Sequence, residues 1–383
     1  MEEIYLDNAA TTKPYPEVVT KMKHTLTKAY GNPSSLHGKG LKAEKLIKVA
    51  RKEVADQLKV KTDEIYFTSG GTEANNLAIK GAVSALHRYG NRIITSSIEH
   101  PSVLNLFKRL EDQGYDVKYL NVDQAGIIDL EQLEKYLTDE TILVSIMGVN
   151  NELGSIQPVA KIGRLIADYD NLYFHVDGVQ AFTKLDIFPA KLGIDLYSIS
   201  AHKIHGPKGV GALYIKDGTR IDNLISGSKQ ESGIRPGTEN VSGIVGFGAA
   251  IKEVKREDST AKMSRIKKLL VNRILNEVEG STLNGPTIEQ GVSHIVNISF
   301  AGIKGEILVH SLEKDNIYVS TGAACSSRLA TPSYVLEAIG VKNDLIEGAI
   351  RFSLSSQTTK QEINYTVNRL KEHITTLKEI IQR

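Results

Sequence analysis

A single cysteine, Cys325, stands in the 383-residue chain. One thiol cannot close an intrachain disulfide, and it suits a reducing compartment. Charge of one sign is also missing: 47 basic residues face 45 acidic ones, so the net charge of +2 gives no reason to expect a nucleic-acid or membrane-surface partner. Lys42, Lys45, Lys48 and Arg51 read as one solvated helix face. No apolar run approaches the ~18 residues of a membrane span. Met1-Glu2-Glu3 leads straight into an apolar strand, without the charged and apolar regions of a targeting leader. A cytoplasmic protein is expected. Internal repeats and low-complexity stretches are lacking, and the ten prolines sit at element boundaries, which argues against a repeat architecture.

What is there looks like an ordinary folded protein. Hydrophobic residues make up 41% and charged residues 24%, which argues against a disordered or fibrous chain. The length exceeds what one core usually fills, so two domains are expected. From about Glu64 to Ile215, short β-rich runs alternate with helical patterns, as in a parallel sheet covered by helices. The strands read as residues 64–68, 92–95, 142–147, 173–177, 196–200 and 211–215. Apolar residues at helical spacing mark Thr72 to Tyr89 and Pro158 to Tyr169 as covering helices. A long helical pattern from Val245 to Val278 then leads into a second unit with strands at 296–299 and 349–353 and helices at 306–314 and 360–381.

In open α/β sheets, ligands bind beyond the carboxyl ends of the strands, so the polar residues there are the ones to weigh. After the first of these strands come Thr68-Ser69-Gly70-Gly71-Thr72-Glu73. Glycines let a backbone approach a ligand, and the following helix offers free N–H groups, so this turn reads either as a phosphate cradle or as a plain capped turn. Tyr173-Phe174-His175-Val176 ends in Asp177, with Gln180 close behind. A buried carboxylate needs a cationic partner, and a protonated pyridine nitrogen would be one; an isolated aspartate here would more often cap a turn. The run Ser200-Ala201-His202-Lys203 puts a lysine among small residues at a strand end, which reads either as an amine desolvated for a Schiff base or as plain surface decoration. The glycines from Gly206 to Gly211 precede a strand instead of opening a helix, which is the wrong setting for a dinucleotide loop.

Six segments in order carry a resemblance: Tyr5-Leu6-Asp7-Asn8-Ala9-Ala10-Thr11-Thr12, Gly31-Asn32-Pro33-Ser34-Ser35-Leu36-His37, Glu99-His100, Asn150-Asn151-Glu152, Ser200-Ala201-His202-Lys203 and Arg235-Pro236-Gly237-Thr238-Glu239-Asn240. From about residue 4 to the last helix, the chain resembles the cysteine desulfurases of the NifS/IscS type, in the class-V aminotransferase superfamily. The resemblance implies an α/β, fold-type-I homodimer that uses pyridoxal 5'-phosphate. It also implies a large cofactor domain of residues 15–255 and a small α+β domain of residues 1–14 and 256–383. Lys203 then resembles the cofactor-holding lysine, Asp177 the partner of the pyridine nitrogen and Gln180 the contact to the ring hydroxyl. Gly71, Thr72, Ser200 and His202 look like the phosphate site, and Thr238 is similar to a threonine that reaches the neighbouring subunit's phosphate. His100 resembles the imidazole that lies on the ring and moves protons, and Asn150 a residue beside cofactor and substrate. Arg351 looks like the clamp for the substrate carboxylate.

Cys325 lies in Ser320-Thr321-Gly322-Ala323-Ala324-Cys325-Ser326-Ser327, followed by Pro332-Ser333-Tyr334. A free cysteine is usually a small buried apolar residue, but its neighbours here are small and polar. The spacing resembles the long-loop desulfurases, in which this cysteine takes sulfur from L-cysteine and hands it to an acceptor, either an iron–sulfur scaffold or a tRNA-thiolation enzyme. No metal is expected. Four departures stand out: Gly178 where alanine is common, Ala201 where glycine is common, Gly227-Ser228-Lys229-Gln230 for a more glycine-rich run, and Pro236 for a small residue. Two alternatives stay open, another enzyme of the same fold (an aminotransferase or selenocysteine lyase) and an inactive cofactor-binding partner; a requirement for Cys325 separates the first from a desulfurase, and alanine formation from cysteine separates the second.

Overall fold

The computed structural model describes residues 3–257, 260–322 and 332–381. Its centre is a seven-stranded sheet in the order β2-β8-β7-β6-β5-β3-β4. The strands are β2 (Ile65–Thr68), β3 (Arg92–Ser96), β4 (Asp116–Leu120), β5 (Thr141–Met147), β6 (Tyr173–Asp177), β7 (Leu196–Ser200) and β8 (Gly211–Ile215), while β1 (Ile4–Tyr5) lies elsewhere. The pairs from β4 through β7 are parallel, and β8 runs antiparallel to both of its neighbours. Every residue of β5, Thr-Ile-Leu-Val-Ser-Ile-Met, is buried. That is the expected state of a central parallel strand with helices on both faces. The helix Gly71–Leu86 sits on one face through Ala74, Leu77, Ala78 and Ala82, all buried; small side chains there let helix and sheet approach closely.

Strand β4 is absent from the sequence reading. Its pattern, Asp-Val-Lys-Tyr-Leu, is polar at alternate positions, and only Val117 and Leu120 are buried. It is an edge strand held by β3 alone, so half of it never meets a core. The helical pattern from Val245 to Val278 is two helices, Val241–Glu257 and Thr260–Glu277. Periodicity reports an apolar stripe and is blind to a break that keeps the stripe on one side.

A second apolar cluster joins the two ends of the chain. Ile4 and Leu6 pack with Leu270, Val271, Phe300, Phe352, Val367 and Leu370. Around them lie β9 (Ser281–Asn284), β10 (Ile295–Phe300) and β12 (Ala349–Ser353) in an antiparallel sheet, and β1 pairs in parallel with β11 (Ile317–Tyr318). The bridge from Asp7 to Ser353 brings the first turn of the chain to the end of β12, and so to the large sheet's ligand edge.

Candidate active site

Because β2, β3, β5, β6 and β7 point the same way, the residues after each of them meet at one edge. There a cavity of about 1130 Å³ is lined by Gly71, Thr72, His100, Asn151, Asp177, Gln180, Ser200, His202, Lys203 and Arg351, among others. Lys203 follows β7 on a single 3-10 turn, Ala201–Lys203. Its Nζ donates to the carbonyls of Ala9 at 2.5 Å and Ala10 at 2.9 Å. Gln180 Nε2 donates to the same Ala9 carbonyl at 2.9 Å. The N-terminal turn is thus part of the site.

Asp177 ends β6 and is buried. Its Oδ1 accepts from the Val179 N–H at 3.0 Å and its Oδ2 from Asn75 Nδ2 at 2.7 Å. Asn75 Nδ2 also donates to Ser102 Oγ at 2.9 Å, and Ser102 lies 2.9 Å from His100 Nδ1. Carboxylate and imidazole therefore share one hydrogen-bonded line. Asn75 was missed by sequence reasoning, since a polar residue inside an amphipathic helix carries no local signal. The Ser102 N–H donates to His100 Nδ1 at 3.1 Å, so Nδ1 is an acceptor and the neutral ring carries its proton on Nε2. Burial holds the His100 pKa below its ordinary value; the Lys203 charge acts in the same sense and Asp177 against it.

Behind Asp177, His175 spans three strands, 2.8 Å from Ser145 Oγ and 2.9 Å from Ser198 Oγ. Burial lowers its pKa to about 3, so it is a neutral crossbeam. Glu99 is fully buried beside His100, with Oε1 accepting from Ser96 Oγ at 2.6 Å and from the Met147 N–H at 3.0 Å. Burial lifts its pKa from 4.5 to about 8; those two hydrogen bonds oppose the rise, and the Asp177 charge adds to it. The folded state thus keeps a proton that the unfolded chain releases, so this group costs stability progressively as pH rises from about 4.5 to about 8. Glu99→Gln is expected to flatten that part of the profile, read from urea midpoints at several pH values; profiles parallel to the wild type would contradict the buried neutral carboxyl.

A phosphate fits the opposite end. Ser200 Oγ is buried with no hydrogen-bond partner among the described residues, which costs about 1–3 kcal/mol unless a ligand supplies one. A Cβ on Gly71 would come within 2.6 Å of Val179 Cγ2 and 3.6 Å of Ser200 Cβ, so glycine keeps this cradle open. The helix Gly71–Leu86 directs its free N–H groups and positive dipole end here. His202 Nδ1 lies 3.2 Å from Thr11 Oγ1, and its pKa falls to about 4, through burial and then the charges of Lys203, Lys208 and His100. A neutral imidazole can donate one hydrogen bond to an anion.

Comparison with known proteins places this arrangement. The model of the aminotransferase class-V family matches residues 4–366. The chain belongs to that family. It is 44% identical over 380 residues to a protein named cysteine desulfurase IscS from Dictyoglomus turgidum, covering 99% of this chain and 96% of that one. A cysteine desulfurase IscS from Clostridium botulinum is 43% identical over 382 residues, covering 99% and 96%. A solved structure described as a NIFS-like protein superposes with a TM-score of 0.92 at 38% identity, covering 98% of this chain and 100% of that one. Another, described as SspA in complex with cysteine, gives 0.82 at 37%, covering 93% and 100%. The expected fold is therefore present, and the class-V aminotransferase family works with pyridoxal 5'-phosphate. The orphaned Ser200 hydroxyl, the Gly71 cradle, the Asp177 carboxylate and the Lys203 amine fit that cofactor in one cavity.

Not every expected residue is in the cavity. Asn150 is a correction: its Nδ2 donates to the Ile98 carbonyl at 3.0 Å, and its Oδ1 accepts from the N–H groups of Glu152 and Leu153 at 2.9 Å. That side chain builds the turn, and Asn151 lines the cavity in its place. Thr238 is exposed in the stretch before the helix Val241–Glu257 and is not in this wall. Cys325 lies outside the described residues. Arg351 is in the wall and almost fully buried. The departures in sequence also find physical reasons. A Cβ on Gly178 would fall 2.0 Å from Tyr197 Cζ, one on Gly206 would fall 2.9 Å from the Ala201 Cβ, and one on Gly227 would fall 2.6 Å from the Pro236 Cβ. Each larger side chain faces a glycine.

Proposed function

We propose that this class-V enzyme removes sulfur from free L-cysteine, forming L-alanine and a persulfide on Cys325, and that the sulfur then passes to an acceptor protein of iron–sulfur assembly or tRNA thiolation. What supports the reading most is one cavity that gathers Lys203, Asp177, His100 and Arg351 and has Gly322 and Pro332 in its wall. Gly322 precedes Cys325 by three residues, a span of at most about 11 Å of extended chain.

Lys203 would hold the cofactor's aldehyde carbon, Asp177 would pair with its ring nitrogen, Gln180 with its hydroxyl, and Gly71, Thr72, Ser200 and His202 would hold its phosphate. Bound there, the cofactor supplies an electron sink for the carbon beside the substrate amine. Lys203 takes and returns the proton at that carbon. Arg351 pairs with the substrate carboxylate. His100 is neutral at pH 7 and moves the protons that accompany cleavage. The Cys325 thiolate bonds to the substrate sulfur as the carbon–sulfur bond breaks; the electron pair stays with the carbon fragment, which is protonated and leaves as alanine. Cysteine plus the Cys325 thiol thus become alanine plus the persulfide, and no external oxidant is needed. Incubation with cysteine and a dithiol should yield alanine and sulfide in equal amounts. A keto acid instead of alanine would sink the proposal in favour of another class-V reaction.

The protein acts in the cytoplasm as a homodimer, in which the exposed Thr238 completes the partner's phosphate site. The balanced charge supports no membrane or nucleic-acid role, and no described helix is long and apolar enough to cross a membrane. Mixed dimers of Lys203→Ala and Thr238→Ala subunits should regain one native site each, and so bind cofactor more tightly than Thr238→Ala alone. A monomer at assay concentration with full activity would overturn this.

A further inference from the structure

Asp7 belongs to one of the segments that carry the family resemblance, yet nothing in the reaction above uses its side chain. Its Oδ1 accepts from Arg351 Nη2 at 2.7 Å. Arg351 is 2% exposed, and a guanidinium buried that deeply needs a counter-charge. Among the described residues, Asp7 is the carboxylate paired with it. Glu152 is close enough for the arginine to lower its pKa against the rise that burial causes, but the two form no ion pair.

The guanidinium does not depend on Asp7 for its orientation. Nη1 donates to the carbonyls of Asn151 at 3.1 Å and Gly322 at 2.9 Å, while Nε is buried with no hydrogen-bond partner among the described residues. Nε and Nη2 share the guanidinium edge that a carboxylate takes with two parallel bonds. Asp7 engages only one of those two nitrogens. Arg351 lines the cavity and Asp7 does not, so the aspartate offsets the cation's charge without itself lining the space a substrate would enter.

Substrate cysteine and product alanine carry the same carboxylate, so an unopposed cation would hold both tightly and slow release of the product. We infer that Asp7 is a positioning residue that weakens the grip of Arg351 on amino-acid carboxylates, setting substrate affinity low enough for alanine to leave. The inference rests on Arg351 as the carboxylate site.

The test uses the cofactor-loaded protein and 3-mercaptopropionate, which carries the carboxylate and thiol of cysteine without its amine. Asp7→Asn keeps an oxygen for Nη2 and removes the charge. It should bind this probe and alanine about tenfold more tightly, an effect of the size expected for a partly buried charge pair, and lower both KM and kcat for cysteine. Asp7→Glu restores the charge and should bind the probe as weakly as the wild type. Unchanged or weaker binding by Asp7→Asn at a wild-type melting temperature, or tight binding by Asp7→Glu, overturns the inference. If Arg351→Gln binds the probe as the wild type does, the reading of Arg351 itself falls, and the role of Asp7 with it.

Discussion

Cys325→Ser is expected to lower sulfide release from cysteine by about a thousandfold or more, while the protein still folds, binds cofactor and exchanges the substrate's α-proton with solvent. The two halves separate because different side chains perform them. In the proposed reaction Lys203 handles the proton, and Cys325 acts on sulfur. A serine hydroxyl cannot replace the thiol, whose reference pKa of about 8.5 leaves a few per cent of thiolate near neutrality, whereas the hydroxyl is almost wholly protonated. The chain has no second cysteine to take over. After brief exposure of the wild type to cysteine without reductant, mass spectrometry should find one extra sulfur atom on the peptide that contains Cys325. Sulfide release undiminished in Cys325→Ser, with no such adduct in the wild type, would remove the persulfide from the mechanism and leave the class-V fold untouched.

Lys203→Ala should abolish turnover altogether and remove the covalent, borohydride-reducible attachment of the cofactor. The amine sits in the wall of the site, on the carbonyls of Ala9 and Ala10, and alanine can neither form that attachment nor accept a proton. The loss should exceed the 10²–10⁴-fold typical of a missing general base, because anchoring and proton transfer fail together. Cofactor held through Gly71, Thr72, Ser200 and His202 alone should wash out by dialysis. Borohydride labelling of any other lysine in the variant, with activity retained, would reassign the attachment site.

Much of the site could be read from the chain because its polar residues stand where strands end. Asp177 and Ser200 end β-rich runs of five residues and Lys203 follows three residues after the second, and an open parallel sheet has one ligand edge. His100 precedes a helix that begins with proline, Pro101–Asp112, which places it at the same edge. Asn150 and Asn151 could not be told apart in this way, since their turn is irregular and no period dictates which amide faces the ligand. Asn75 lay hidden for a related reason: helical spacing separates buried from exposed faces, but a polar residue on the buried face is legible only once its partners Asp177 and Ser102 are in place.

The sequence by itself determined the alternation of strands and helices, the edge at which ligands gather and the identity of the groups able to do chemistry there. These follow from local periodicity and from side chains that carry their functional groups wherever they are placed. Tertiary structure alone decided which of those groups touch. The Asn75 line from Asp177 to His100 joins the helix Gly71–Leu86 to the ends of β3 and β6, and the Asp7–Arg351 pair joins residues 344 positions apart. Such contacts are long-range, and no local pattern encodes them; they exist because strand order and the packing of both chain ends against β12 bring those atoms within hydrogen-bonding distance.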